Sequence, residues 1–342
     1  MRDPQTLHMA AAAVRRQASI PGVPDGSGRG LAVVAVDSLS EPPGRATLAT
    51  ALLTDGMCCV APPAAADVRR RLQQCVAHTE SFFARPAADK VRFGASHGRG
   101  RQFGYMANAA GGAEMFEAMR QCDPGGPWPS AEMQRAVLSF RELLHETALA
   151  CLRALALHFG LDAAYIGSLL DQGPTESPSL DAASFSTMRI WRYYPGGVGN
   201  EMHVDNSLLT VTAAGTQVGL GCMRYRDGAQ VWPEAAGLET GDRLLVFAGD
   251  ALSMLTGGRL PALMHWVRPP REGDRISMPY FLRPRRDALL SPARCCGDDA
   301  ALGGVAAVVQ RDLEANARNV RYAWEWKRRD RYYDGCVLPR AA

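Results

Sequence analysis

Residues 186–232 read STMRIWRYYPGGVGNEMHVDNSLLTVTAAGTQVGLGCMRYRDGAQVW, and this stretch decides the fold. Short apolar, aromatic and β-branched runs at 186–193, 207–213, 217–224 and 229–232 are separated by Pro195-Gly196-Gly197, Gly215 and Asp227-Gly228, residues that turn a chain. The pattern continues through 243–248, 251–255, 264–268 and 275–282, which makes eight candidate strands. Short strands at near-regular spacing, with no helical pattern between them, predict a jelly-roll or barrel and argue against a βαβ sheet.

Working outward, the upstream half changes character. LAVVAVD (31–37) reads as a buried strand, Arg45 to Thr54 as a helix, Met57 to Val60 as a short strand and Ala64 to Phe83 as a second helix. Between 132 and 159, Val137, Phe140, Leu144, Ala148, Cys151, Leu152, Leu155 and Phe159 recur at spacings of three and four. That spacing predicts a long amphipathic helix, stopped by Gly160. Downstream, 305–318 and 320–331 are helix candidates, the latter with Trp324 and Trp326. The expected layout is α+β and single-domain, with an N-terminal arm (1–30), a mainly helical part (31–183), a β core (184–290) and a helical tail packed on it (291–342).

Composition narrows the function classes. With 342 residues, 47% of them hydrophobic, 21% charged and no periodic glycine, the chain is neither disordered nor fibrous. Its net charge is +3, and of 38 basic residues only Lys90 and Lys327 are lysines. The arginines are interspersed with 35 acids rather than gathered in a stripe, which argues against nucleic acid as a partner. Nine cysteines include no CxxC pair, and an odd count does not close into a disulfide framework, so a reducing, cytoplasmic setting is expected. No run approaches the roughly 20 apolar residues of a membrane span, and the N-terminal segment lacks a secretory core and reads as an arm. A monomer acting on a small molecule is the expectation.

The chemistry lies in the β half. His203-Val204-Asp205 puts an imidazole and a carboxylate at i and i+2, on one face of a strand. His78-Thr79-Glu80 has the same spacing but sits in a predicted helix, where i and i+2 diverge, and it reads as a solvated face. His265 follows 60 residues after Asp205 on a later strand candidate. Two histidines and one carboxylate form the facial triad of non-haem Fe(II), with coordination positions left open. Arg275-Ile276-Ser277 then aims a guanidinium and a hydroxyl the same way, a pair suited to a carboxylate. Taken singly, His265 reads as a backbone-bonded core histidine and Arg275 as a surface ion pair; the ordered set carries the assignment.

That ordered set resembles the isopenicillin N synthase-like Fe(II)/2-oxoglutarate-dependent oxygenases, over about Leu31 to Arg286. HVDNSLLTV (203–211), MLTGGRLPALMHWV (254–267) and RISMPYFLRP (275–284) are similar to the family's HxD, distal-histidine and RxS segments, and RYYPG (192–196) to its Tyr-Pro segment. LAVVAVD, DGMCCV, FFARPAADK and RQFGYM appear upstream in family order. The resemblance implies a double-stranded β-helix (jelly-roll) core with flanking helices. It also implies Fe(II) held by His203, Asp205 and His265 as the catalytic set, and 2-oxoglutarate held by Arg275, Ser277 and Tyr194.

The activity it implies uses O₂ to hydroxylate, desaturate or cyclise a small metabolite, in secondary metabolism, with release of succinate and CO₂. By analogy Gln102, Phe103, Tyr105, Met223, Tyr225 and Phe281 face the substrate. Three departures bear on pocket shape: Arg192 for asparagine, Trp266 after the distal histidine, and Gly221-Cys222 for Gln-Val. An iron oxidase of the same fold without 2-oxoglutarate, or a non-catalytic binding module, are the competing readings.

Overall fold

The computed structural model describes residues 30–97, 101–107, 112–119, 128–170, 186–238, 241–285, 287–297 and 308–309. The first part of the chain gives β1 (Val33–Ala35), α1 (Pro42–Thr54), β2 (Met57–Ala61), α2 (Ala65–Phe83) and α3 (Ala87–Lys90). Three strands follow, β3 (Gly94–His97), β4 (Arg101–Ala107) and β5 (Ala113–Met119), and then the helices α4 (Ala131–Phe159) and α5 (Ala163–Leu169). The β core comprises β6 (Thr187–Tyr193), β7 (Asn200–His203), β8 (Leu209–Thr212), β9 (Leu220–Met223), β10 (Gln230–Val231) and β11 (Leu244–Ala248). It closes with α6 (Asp250–Leu255), β12 (His265–Val267), β13 (Arg275–Ser277) and β14 (Tyr280–Leu282), before β15 (Leu289–Leu290), α7 (Pro292–Cys296) and β16 (Val308–Val309).

Two sheets face each other. The large sheet has ten strands in the order β1-β2-β11-β8-β14-β6-β5-β4-β3, with β13 also on β6; the small one runs β10-β9-β12-β7. β6 shows why the large sheet sits between a core and a cavity. Its Met188 and Ile190 are fully buried in the main apolar cluster with Phe140, Leu144 and Leu155 of α4, while Arg189, Trp191 and Tyr193 line the cavity between the sheets. The side-chain period of two makes one strand serve both faces. α4 packs its apolar stripe on the middle of this sheet, at β8 and β14; it starts at Ser130, whose hydroxyl accepts from Met133 N–H, and ends at Gly160 with φ 63°.

Several expectations change. The run at 251–255 forms a helix, α6, not a strand: all six residues of α6 are buried, so an apolar run carried no periodicity to separate the two. Gly249 at its start lies against Ser207, where a Cβ would come within 2.4 Å of the carbonyl oxygen. The run at 275–282 is broken into β13 and β14 at Met278-Pro279, because proline has no N–H for the ladder. The part expected to be mainly helical contributes five strands to the large sheet, β4 and β5 pairing onward to β6. In the tail, Val308–Val309 pairs as a strand with Leu289–Leu290 inside a range expected helical. The arm at 1–29, the rest of the tail helices, Trp324 and Trp326 lie outside the described residues.

Among the described residues no helix is long and apolar enough to cross a membrane. Cys58, Cys59 and Cys295 are buried and pack as small apolar side chains.

Candidate metal centre

Pairing between β7 and β12 assembles the centre. His203 ends β7, His265 begins β12, and the two are directly opposite in the antiparallel register, with ring centroids 4.3 Å apart. Asp205 comes two residues after His203, just beyond the strand end, and is buried. The three offer donor atoms that all lie within 4.8 Å of one another.

Local hydrogen bonds set which atoms point inward. His203 Nδ1 lies 2.6 Å from the Glu201 carbonyl and His265 Nδ1 3.1 Å from that of Leu263. A carbonyl only accepts, so each Nδ1 donates its proton there and each ring turns its Nε2 to the cavity. The Nε2 atoms stand 3.6 and 3.5 Å from Asp205 Oδ1, too far for a hydrogen bond. Asp205 Oδ2 is taken by the Thr210 hydroxyl at 2.7 Å, which leaves Oδ1 aimed at the imidazoles. Burial would raise the Asp205 pKa, but the two histidines, Thr210 and the positive charge of Arg283 outweigh it and hold the carboxyl below its ordinary value. Two imidazole nitrogens and one carboxylate oxygen, preset and converging, fit a divalent transition metal with open positions.

The centre opens on a cavity of ≈ 250 Å³. On the large sheet its wall is a row of alternate residues, Arg275, Ser277, Pro279, Phe281 and Arg283, beside Tyr193, Trp191 and Arg189 of β6. Arg275 is 2% exposed, and two of its donors are committed within the protein: Nε to the Gln217 carbonyl at 2.9 Å and Nη2 to Glu234 Oε1 at 2.8 Å. Its Nη1 is buried with no hydrogen-bond partner among the described residues. A buried donor without a partner carries a desolvation cost, and a ligand carboxylate reaching it from the cavity would remove that cost. Gly215 and Gly219 cradle the guanidinium so closely that a Cβ at Gly219 would come within 2.6 Å of Nε.

Not all sequence-predicted residues meet here. Tyr194 does not line the cavity. It follows Tyr193 on the opposite side of the chain, donates its hydroxyl to Glu114 Oε1 at 2.6 Å, and stacks under Arg192. Its neighbour Tyr193 takes the cavity position, with the Arg275 guanidinium 5.7 Å from its ring centroid, Ser277 hydrogen-bonded to its phenol and its pKa pushed up to about 12 by burial. Tyr105 is likewise bound to Glu114 Oε2, at 2.8 Å, away from the cavity. Tyr225 is buried in a second apolar cluster with its hydroxyl on the Pro261 carbonyl, and Met223 is not among the lining residues. Gln102 and Phe103 lie on β4, and their side chains lie outside the described residues. Of the six residues expected at the substrate, Phe281 is the described one in the cavity wall, with the Arg283 and Arg189 guanidinium carbons 4.9 and 5.4 Å from its centroid.

The three departures also sit elsewhere. Arg192 bridges Asp274 and Glu114 on the far face of β6. Trp266 pairs across the ladder with Gly221, and a Cβ at Gly221 would meet its indole at 2.3 Å. The tryptophan and the glycine are therefore one accommodation, made behind the cavity rather than in it. Glu234, the buried partner of Arg275, had no sequence signal: VWPEAAG reads as an ordinary turn with a solvated acid.

Two histidines and a carboxylate held between the sheets of a jelly-roll make a candidate metal centre. Residues 185–284 match the family model for the 2OG-Fe(II) oxygenase superfamily. It is similar to gibberellin 3-beta-dioxygenase 1 of Oryza sativa subsp. japonica, 36% identical over 100 residues, which are 29% of this chain and 25% of that protein. It is also similar to the 2-oxoglutarate-dependent dioxygenase ecdG of Aspergillus rugulosus, 32% identical over 140 residues, 35% of this chain and 40% of that one. The chain thus spans well under half the length of these curated relatives.

Solved structures share the fold. A putative 2OG-Fe(II) oxygenase family protein of Caulobacter crescentus superposes with a TM-score of 0.63 at 19% identity, covering 86% of this chain and 100% of that one. The 2-oxoglutarate complex of the dioxygenase for auxin oxidation 1 of Arabidopsis thaliana gives 0.62 at 20% identity, covering 79% and 98%.

Proposed function

We propose that the chain is an Fe(II)- and 2-oxoglutarate-dependent oxygenase that oxidises a C–H bond of a small molecule, releasing succinate and CO₂. One observation carries this reading. A preset two-imidazole, one-carboxylate centre shares a cavity with a buried guanidinium whose Nη1 lacks a partner among the described residues. When bound, Fe(II) with 2-oxoglutarate and O₂ supplies the oxidising chemistry. The chain's part is placement. His203 and His265 are held as Nδ1-protonated ligands by their carbonyls, and Thr210 keeps Asp205 turned inward. Arg275, Ser277 and Tyr193 form the end that takes the distal carboxylate of 2-oxoglutarate. Trp191, Phe247 and Phe281 offer apolar walls that hold a substrate and exclude water.

The proposed setting is a monomer in a reducing, cytoplasmic compartment, serving secondary metabolism; the buried thiols of Cys58, Cys75, Cys151 and Cys222 support the compartment. A screen of small metabolites for substrate-dependent succinate formation tests the reading, and product should equal succinate. A second reading, an iron oxidase that uses no 2-oxoglutarate, is favoured by the Glu234 carboxylate already on Arg275. Product without succinate would establish that reading instead.

The two tyrosines separate cleanly. Tyr193→Phe should weaken 2-oxoglutarate binding several-fold, while Tyr194→Phe should leave it unchanged and cost about 1–3 kcal/mol of stability, because it strips a hydrogen bond from buried Glu114. Calorimetric titration beside chemical denaturation reads both. Loss of 2-oxoglutarate affinity in Tyr194→Phe with Tyr193→Phe unaffected would return the role to Tyr194.

A further inference from the structure

Glu234 lies behind Arg275 rather than in the cavity wall, 1% exposed, in the short helical turn Pro233–Ala235. Its Oε1 accepts from Arg275 Nη2 at 2.8 Å and from the Leu220 amide at 3.2 Å. Its Oε2 is buried without a hydrogen-bond partner among the described residues. Both partners of this ion pair are 2% exposed at the side chain, so neither charge is screened by water.

Resting on the reading above, we propose that Glu234 is a positioning residue and internal counter-ion that holds Arg275 in place while weakening the grip of the site on the distal carboxylate of 2-oxoglutarate. A divalent metal, the Asp205 carboxylate, a dicarboxylate co-substrate and the Arg275 guanidinium would together be neutral; of the other cations in the wall, Arg189 is paired with Glu117 and Arg283 stands beyond Phe281 on the strand row. Glu234 adds one negative charge directly behind the guanidinium that must receive the co-substrate. Like charges repel strongly where one of them is buried away from water, as Glu234 is. The hydrogen bonds of Glu234 work the other way, since with Gln217 they fix the direction of the guanidinium and leave Nη1 for the ligand.

Replacing the carboxylate by an amide separates these two effects. Glu234→Gln keeps an oxygen for Nη2 and for the Leu220 amide but removes the charge. The experiment is calorimetric titration of the full chain, loaded anaerobically with Fe(II), with 2-oxoglutarate as the probe. Glu234→Gln should bind it tighter by roughly tenfold or more, the scale of one unit-charge interaction at the effective dielectric of a protein site. It should also melt lower than wild type without ligand, because Arg275 loses its compensating charge, and should gain more melting temperature from 2-oxoglutarate. Glu234→Asp, which retains the charge, should not tighten binding. Should Glu234→Gln fold too poorly to titrate, Glu234→Met, which removes the charge at similar volume, takes its place with the same expectation.

Wild-type binding with the uncharged variants equal or weaker overturns the role of Glu234 and leaves the oxygenase reading standing. Binding only in the uncharged variants supports the inference, with Glu234 opposing 2-oxoglutarate to the point of exclusion. Heat in neither overturns the 2-oxoglutarate reading, and the inference with it.

Discussion

Arg275→Met is expected to abolish 2-oxoglutarate binding and to destabilise the fold by about 3–5 kcal/mol, the range for removing one partner of a buried ion pair. The residue left behind is the reason. Glu234 is 1% exposed and would be left buried without its cation, with the Leu220 amide as its remaining hydrogen-bond donor. The Gln217 carbonyl would lose its donor as well, and the cradle formed by Gly215 and Gly219 would face a void. The double variant Arg275→Met with Glu234→Met removes both charges and should recover most of the stability while recovering none of the 2-oxoglutarate affinity. Chemical denaturation of the two variants beside calorimetry makes the comparison. A single variant within about 1 kcal/mol of wild type would mean that the pair is not buried as described.

His203→Ala is expected to do the reverse, leaving stability nearly intact while removing the metal. The side chain is partly exposed at the end of β7, so its truncation opens no core cavity. Iron bound per chain should fall from one to near zero. Substrate-dependent succinate formation should drop by roughly 10³-fold or more, since the metal supplies the chemistry. Asp205→Ala should match it in iron and activity. Retained iron and activity in His203→Ala would remove the proposed centre altogether, whereas retained iron with lost activity would confine His203 to a later role.

Much of this was legible in the chain because the relevant signals are local. Seven of the eight apolar runs hold strands and announce a β core through turn residues and a period of two, and HxD and RxS place two side chains on one face by the same rule. The failures have physical causes too. Tyr193 and Tyr194 are adjacent, and which one faces the cavity depends on where the alternation of β6 is anchored, set by Met188 and Ile190 against α4. The run at 251–255 is buried on every side, so its hydrophobicity said nothing of its secondary structure. β7 is four residues in a glycine-rich setting and owes its existence to pairing with β12.

By itself, then, the sequence determined the kind of core, the identity of the three candidate ligands and the arginine that follows them, because residue type and short spacing suffice for those. Tertiary structure alone decided which tyrosine stands beside Arg275, that Trp266 requires Gly221, and that a glutamate 41 residues before Arg275 is its buried partner. Such pairings arise where separate strands and turns close on one another, and their strength comes from the exclusion of water that only packing achieves.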